Sequence, residues 1–381
     1  MDDKTVTINR SYKFRIYPNK QQQELIQKTF GCVRFVYNYF LKDCIDAYQN
    51  NHENRSYAQQ CASLVELKKE LLWLKEPDKS SLQYALQNLH DAYRKFFASI
   101  SGKQKSKIGY PKFKSKKRDN KRYTTSANGK YKAISVGEGF LKLPKLGYVK
   151  AKISRNIPVG HRIISATISQ SKSGKYFTTI HMEWETEIIE KEIRSSVGLD
   201  YSSPHFYVDS EGNEANMPHF YREWERRLAR EQRRLSKMVN GSNNYRKQKI
   251  RVAKMYEKVR NCREDWQHKE STRLADKYDL IAVEDIDYQD MARGLRLAKA
   301  TNDNAFGQFR RFLAYKLAER GKKLITIDKW FPSSKLCRFC GTVNSDLTLK
   351  DREWDCPGCG AHLLRDVNAA INICNKGSEA I

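Results

Sequence analysis

The chain opens with a strand pattern and changes to a helical one after its first proline. In residues 5–17, TVTINRSYKFRIY, Val6 and Ile8, then Tyr12, Phe14 and Ile16, alternate with polar side chains. That period of two predicts a β-strand, and Pro18 ends it. From Lys20 the spacing lengthens. Ile26, Phe30, Val33, Tyr37, Phe40 and Leu41 fall three and four residues apart and predict an amphipathic helix. Helices are also predicted over 57–75 and 81–98, their apolar stripes read as core packing. Residues 133–188 return to alternation broken by Gly and Pro, which predicts a small barrel or curved sheet.

The second half mixes both periods. SSVGLDYSSPHFYVDS (195–210) predicts a strand, a turn and a second strand. Residues 219–276 predict two long charged helices joined at NGSNN (240–244), an αα-hairpin. The run DLIAVEDI (279–286) is apolar without alternation, so it predicts a strand buried on both faces. A helix over 305–320, a strand over 322–330 and a helix over 365–376 complete the pattern. A chain of 381 residues suggests two to four domains at roughly 100–200 residues each. The class is multidomain α+β.

Charge changes the picture. Lys and Arg number 71 against 44 Asp and Glu, a formal net charge of +27. So large an excess points to a polyanionic partner, nucleic acid before an anionic membrane. No segment reaches the roughly 18–20 apolar residues of a membrane span, and the polar N-terminus has no signal-peptide core. The expected location is a reducing cytosol. Residues 102–132 crowd cations around Tyr110, Phe113, Tyr123 and Tyr131. They read either as a solvated basic loop or as a nucleic-acid contact, with aromatics to stack on bases and cations to bind phosphates. On the second reading the candidates are Lys112, Lys114, Lys116, Lys117, Arg118, Arg122 and Tyr123.

Four of the nine cysteines carry metal chemistry in their spacing. Cys337-x-x-Cys340 and Cys356-x-x-Cys359 are two knuckles separated by fifteen residues, a zinc-ribbon spacing. Gly341 and Gly360, one residue after each knuckle, suit the left-handed turn such a knuckle needs. Four thiolates fill a tetrahedral shell, so this Zn²⁺ would be structural. The alternative, two redox pairs, lacks a thioredoxin-like context.

Three carboxylates stand out. Asp200 ends the run VGLD, Glu284 ends LIAVE, and Asp366 opens the helix after the ribbon. A carboxylate on a buried strand is costly unless something neutralises it. Two strands and a neighbouring helix would bring the three to two Mg²⁺ ions. Taken singly, an Asp after a strand reads as a cap or turn residue. Asp285, Asp287 and Asp290 follow Glu284, so charge alone does not pick it out.

VGLDYSSPHFYVDS, IAVEDI and LRDVNAA resemble the three RuvC-type motifs of the TnpB family of transposon-encoded proteins. The ribbon lies between the second and third, as in that family. YKFRIYPNKQQQELIQKTFGCVRFVYNYFL, LQYALQNLHDAYRKFF and GYPKFKSKK also resemble TnpB, so the likeness spans essentially the whole chain. It implies an RNA-guided endonuclease of the prokaryotic cytoplasm, at the nucleoid, that binds a transposon-end RNA and cuts double-stranded DNA beside a short adjacent motif. Asp200, Glu284 and Asp366 would hold two Mg²⁺, and no small-molecule substrate is involved. It further implies a β-barrel wedge domain (1–18 and 124–193) split by a helical recognition insert (19–123). A RuvC-like, RNase H-type α/β nuclease domain (194–333 and 364–381) follows, with the zinc ribbon (334–363) inserted. Lys79, Ser81 and Gln83 are candidates for reading the adjacent motif, or else a solvated helix start with a Ser cap. Leu364 and Tyr201-Ser202-Ser203-Pro204 depart from the common pattern, and neither removes a ligand. The alternatives are a nuclease-inactive RNA-guided repressor, a compact type V CRISPR effector, and a transposase acting on transposon ends without RNA.

Overall fold

The computed structural model describes residues 5–103, 107–117, 120–127, 133–157, 160–202, 204–286, 304–348 and 350–381. Of the candidates above, Arg118 lies outside them. The chain divides into two compact units, Thr7–Thr186 and one formed chiefly by Glu187–Ile381.

In the first unit the alternating run is strand β1 (Thr5–Tyr17), and Asn19 caps helix α1 (Lys20–Asn51) through a reciprocal bond with Gln22. Helices α2 (Tyr57–Glu70) and α3 (Lys79–Ile100) pack with α1 around Val36, Phe40, Leu74, Leu82 and Leu86. The predicted 57–75 helix stops at Glu70, and Leu72–Lys75 form a 3₁₀ turn that buries Leu74. Six further strands follow: β2 (Arg122–Ser126), β3 (Ser135–Gly137), β4 (Phe140–Leu143), β5 (Gly147–Lys152), β6 (Arg162–Gln170) and β7 (Tyr176–Glu187). With β1 they form one sheet in the order β2-β6-β7-β1-β5-β4-β3. The expected barrel is not closed: among the described residues β2 and β3 are the two free edges. Helix α1 helps to bury one face of the sheet, its Ile26 and Phe30 packing in one core with Phe14, Ile16, Val149, Ile168 and Ile180.

The second unit centres on a sheet of four strands, β8 (Ser196–Ser202), β9 (Phe206–Asp209), β10 (Leu280–Glu284) and β11 (Lys323–Ile327), in the order β11-β10-β8-β9. β8, β10 and β11 are parallel, and β9 returns antiparallel to β8. The predicted hairpin is α4 (Phe220–Ser236) and α5 (Asn243–Lys277). Helix α6 (Phe306–Ala318) joins α5 on one sheet face, where Val197, Leu199, Ile281 and Val283 meet Leu274, Phe309 and Leu313. Helix α7 (Arg365–Ser378) takes the other face, where Leu280, Ala282 and Ile327 meet Ile373. Cover on both faces is why LIAV is apolar throughout. β11 ends at Ile327 rather than continuing to Trp330, because Asp328 turns the chain by accepting from the Trp330 amide at 2.7 Å. Between β11 and α7 runs a ribbon with two short antiparallel strands, β12 (Glu353–Asp355) and β13 (His362–Leu364).

One close approach sets the position of α7. A Cβ on Gly198 would lie 2.0 Å from the Ala370 carbonyl oxygen and 2.5 Å from the Cys374 amide nitrogen. A glycine within a strand often marks such an approach. Gly198→Ala should therefore push α7 off β8 and cost about 1–3 kcal/mol or more. Chemical denaturation, followed by the loss of unfolding free energy, measures it.

Candidate functional site: a carboxylate edge beside a cysteine cage

The period of two along a strand explains which carboxylates meet. On β10, Leu280, Ala282 and Glu284 share the face that α7 covers, and on β8, Gly198 and Asp200 do the same. Leu199 pairs with Val283 in parallel register, so Asp200 and Glu284 follow side by side at the carboxyl ends of their strands. Asp366 opens α7 one turn before Ala370, the residue whose carbonyl abuts Gly198. The sheet register and one helix thus bring all three to the same edge. They do not converge on one point: among the described residues no three acidic groups offer oxygens within 4.8 Å of one another. A pair of ions about 3.5–4 Å apart spreads its ligands more widely than a single-ion cage does.

The electrostatics of this edge are those of buried carboxylates that face one another. Desolvation holds the Asp200 carboxyl well above its usual range, and the charges of Glu284 and Asp366 push it further, against a smaller pull from Arg365. Burial also raises Glu284, opposed by a hydrogen bond that the Ser333 hydroxyl donates to its Oε1. Asp366 is held by arginine, with Arg365 Nη2 at 2.8 Å and Arg352 Nη1 at 3.2 Å. Asp209, buried on the adjacent strand, shows the contrast. Its Oδ1 accepts from the amides of Glu211 and Asn213 at 3.0 and 2.8 Å and its Oδ2 from Asn213 Nδ2 at 3.1 Å, so this carboxylate closes the turn.

The four cysteines do meet. Their Sγ atoms lie within 4.8 Å of one another. Cys337 and Cys359 are 3.7 Å apart, and Cys340 and Cys356 are 3.5 Å apart. Zn–S bonds of about 2.3 Å in a tetrahedron give edges of about 3.8 Å, so the cage fits that ion. Gly341 and Gly360 have φ of 74° and 72°, the left-handed turn expected after each knuckle. The ribbon's own core is Leu347, Trp354 and Leu363 around Cys337 and Cys356, too little to fold without a metal.

The basic segment of the first unit is pinned to α1. Asn38 accepts from the Lys114 amide at 2.8 Å and donates to its carbonyl at 2.9 Å, and the Lys114 ammonium lies 3.8 Å from the centre of the Tyr37 ring. Lys112, Lys116, Lys117 and Arg122 are exposed, as are Phe113 and Tyr110. Tyr123 is not: its ring packs edge-on against Phe30 in the sheet's core. Lys79 and Gln83 are exposed at the start of α3. Ser81 is buried and its hydroxyl donates back to the Asp78 carbonyl at 2.6 Å, so it neither faces solvent nor caps the helix. In the second unit the α4–α5 hairpin carries a cationic groove. Arg227 and Lys258 flank Trp224 at 5.3 and 5.0 Å, and Lys247, Arg251 and Lys254 line it. Sequence reasoning did not single out Trp224, Ser333 or Arg365. Only the Arg-Asp pair at 365–366 offered a local signal.

Comparison with known proteins defines the class. The OrfB family model of IS605-type elements, described as "Probable transposase", matches residues 179–294. A "Cas12f1-like, TNB domain" matches 306–373, and an OrfB "Helix-turn-helix domain" matches 6–53. A Streptomyces pristinaespiralis protein with the name "Putative RNA-guided DNA endonuclease" is 36% identical over 376 residues, covering 98% of this chain and 90% of its own. InsQ of Escherichia coli strain K12, which carries the same description, is 28% identical over 390 residues, covering 98% and 93%. One chain in a cryo-EM structure of the Cas12f1–sgRNA–target DNA complex shares the fold, with a TM-score of 0.52 at 12% identity over 97% of this chain and 99% of that one. The chain belongs to the TnpB-like family of IS605 OrfB proteins.

Two outcomes test the geometry. Cys356→Ser should take bound zinc from one per chain to none and expose residues 334–363 to proteolysis, read by metal analysis and limited digestion. Asp200→Asn removes a carboxylate whose folded pKa is raised. Its ionised form therefore costs stability as pH climbs above the ordinary carboxylate range. At neutral pH in EDTA this variant should gain roughly 0.5–2 kcal/mol, seen as a higher melting temperature than the parent.

Proposed function

We propose that the protein is an RNA-guided DNA endonuclease of an insertion-sequence element, binding a guide RNA and cutting double-stranded DNA beside a short adjacent motif. The observation that carries this reading is that Asp200, Glu284 and Asp366 lie along one sheet edge, in a chain with full-length relatives of that description. In this reading residues 194–333 and 364–381 are a RuvC-like nuclease domain. Residues 334–363 are its zinc ribbon, with Cys337, Cys340, Cys356 and Cys359 as ligands. Residues 1–18 and 124–193 are a wedge domain around the recognition insert 19–123.

Asp200, Glu284 and Asp366 would hold two Mg²⁺ ions. Those ions supply Lewis acidity for phosphodiester hydrolysis when bound. The raised pKa of Asp200 supports this, because burial first and the neighbouring carboxylates second disfavour its charge, and a divalent cation would offset both. Arg365 and Arg352 hold Asp366 at the helix N-terminus, where the helix dipole also favours its charge. The net +27 would offset backbone phosphates, leaving sequence choice to base pairing. Lys112, Lys116, Lys117 and Arg122 are the phosphate contacts we assign in the first unit. Lys79 and Gln83 remain the candidates for reading bases, since their side chains are free to reach a groove.

Expression with the DNA that flanks the gene, followed by sequencing of co-purified RNA and a cleavage assay, tests this. A discrete RNA is expected, with cutting of a matched target in Mg²⁺, none in EDTA and none in Asp200→Ala. Guided binding without cutting would favour a repressor. A guide derived from a repeat array would favour a CRISPR effector, and action on transposon ends without RNA a transposase.

A further inference from the structure

We infer that Ser333 is a positioning residue for Glu284, held in place by Asn372 and Asn368 of α7, and that it selects which Glu284 oxygen faces the proposed metal ions. The inference rests on the metal-binding reading above and adds a residue that reading does not use.

Glu284 ends β10 with its side chain on the face covered by α7. The Ser333 hydroxyl donates to its Oε1, and among the described residues no other side chain hydrogen-bonds this carboxylate. One oxygen is thus taken by the protein and Oε2 is left for another partner. A serine sets a carboxylate's orientation only if the serine itself is fixed. Ser333 is 5% exposed, and its amide donates to the Phe331 carbonyl at 2.8 Å. Its carbonyl accepts from Asn372 Nδ2 at 2.8 Å. The same Nδ2 reaches the Leu336 carbonyl at 2.7 Å, and so does Asn368 Nδ2, also at 2.7 Å. Asn368 Oδ1 accepts from the Arg338 amide at 3.1 Å.

Asn368 and Asn372 are one turn apart and nearly inaccessible, at 1% and 4% exposure. Buried amides need partners, and here the partners are backbone groups from Ser333 to Arg338, on either side of the zinc-site residue Cys337. Packing alone would be met by leucine on that helix face. The two amides instead fix a loop by its polar backbone. α7, which carries Asp366, thereby also controls the group that orients Glu284. Partners of this kind around metal ligands typically change metal affinity or activity 10–100-fold when removed.

Mn²⁺ binding, followed by electron paramagnetic resonance on the full RNA-bound chain, tests this. A variant lacking all three carboxylates (Asp200→Ala, Glu284→Ala, Asp366→Ala) subtracts the sites that the RNA contributes. Ser333→Ala should weaken the carboxylate-dependent sites 10–100-fold and raise by a similar factor the Mg²⁺ needed for half-maximal cleavage. Its zinc content and melting temperature should stay near those of the parent, and Ser333→Thr, which keeps the hydroxyl, should bind Mn²⁺ like the parent. Parental Mn²⁺ binding in Ser333→Ala, or equal weakening in Ser333→Thr, would overturn the inference while leaving the metal site intact. Absence of any carboxylate-dependent Mn²⁺ in the parent would overturn both it and the reading on which it rests.

Discussion

The close packing of helix α7 on strands β8 and β10 is the contact on which the rest of this unit depends. Gly198 lets the backbone of α7 approach β8 with no side chain between. Ala282 and Gly377 do the same on β10, where a Cβ on Gly377 would lie 2.5 Å from that of Ala282. Small residues at these two points fix the helix in depth and along its axis. Asp366 opens that helix, so its height above the sheet is set by glycines on β8 and at the far end of α7. Side chains in a close-packed interior have little room to absorb an error. A displacement at Gly198 would be passed to the carboxylate edge.

That edge is acidic in a strongly basic protein. The contrast follows from what each part must neutralise. Exposed cations on the helices and on the basic segment cost little in water and attract a polyanion at long range. Asp200 is a different case, since it is desolvated and faces two further carboxylates. Such a group is a liability to the fold. In the proposed reading a cation offsets it; a carboxylate that serves the fold is instead satisfied by backbone amides, as Asp209 is at the start of its turn. The arginines on Asp366 offset part of the charge, and Arg365 relieves Asp200 only in small part.

How much of this was legible in the sequence depends on the length scale of each signal. The cysteine cage was fully legible, because two short knuckles determine it locally and the two glycines mark the turns. The central strand was legible from LIAV, whose lack of alternation reports cover on both faces. Asp200 and Glu284 were picked out by where their runs end and Asp366 by opening the helix after the ribbon; register sets the first two side by side and α7 brings the third to the same edge. Closure of the first sheet was not legible. Alternation fixes which face of a strand is buried, and strand order and edge pairing arise from long-range contacts that it does not encode. Tyr123 was misleading for a related reason. An aromatic among cations reads as a stacking residue, but on β2 its parity turns the ring inward against Phe30. Ser333 gave no signal because its role comes from a contact with a residue 49 positions away.

The position of the ribbon in the chain has a physical rationale. β10 and β11 are parallel, so the chain leaves β11 at the same edge where Glu284 ends β10. It must return there to start α7 with Asp366. A flexible excursion of this length would close at modest entropic cost, but it would leave the first turn of α7 free to fray. The ribbon removes that freedom in two places. Its last strand, β13, runs directly into α7, with the Arg365 amide bonded to the Arg352 carbonyl at 2.8 Å. Its first knuckle is gripped by Asn368 and Asn372. The small apolar core of the ribbon supplies little rigidity of its own. A cation held by the four cysteines would therefore act beyond its own site, because both ends of the segment it orders abut the helix that carries Asp366.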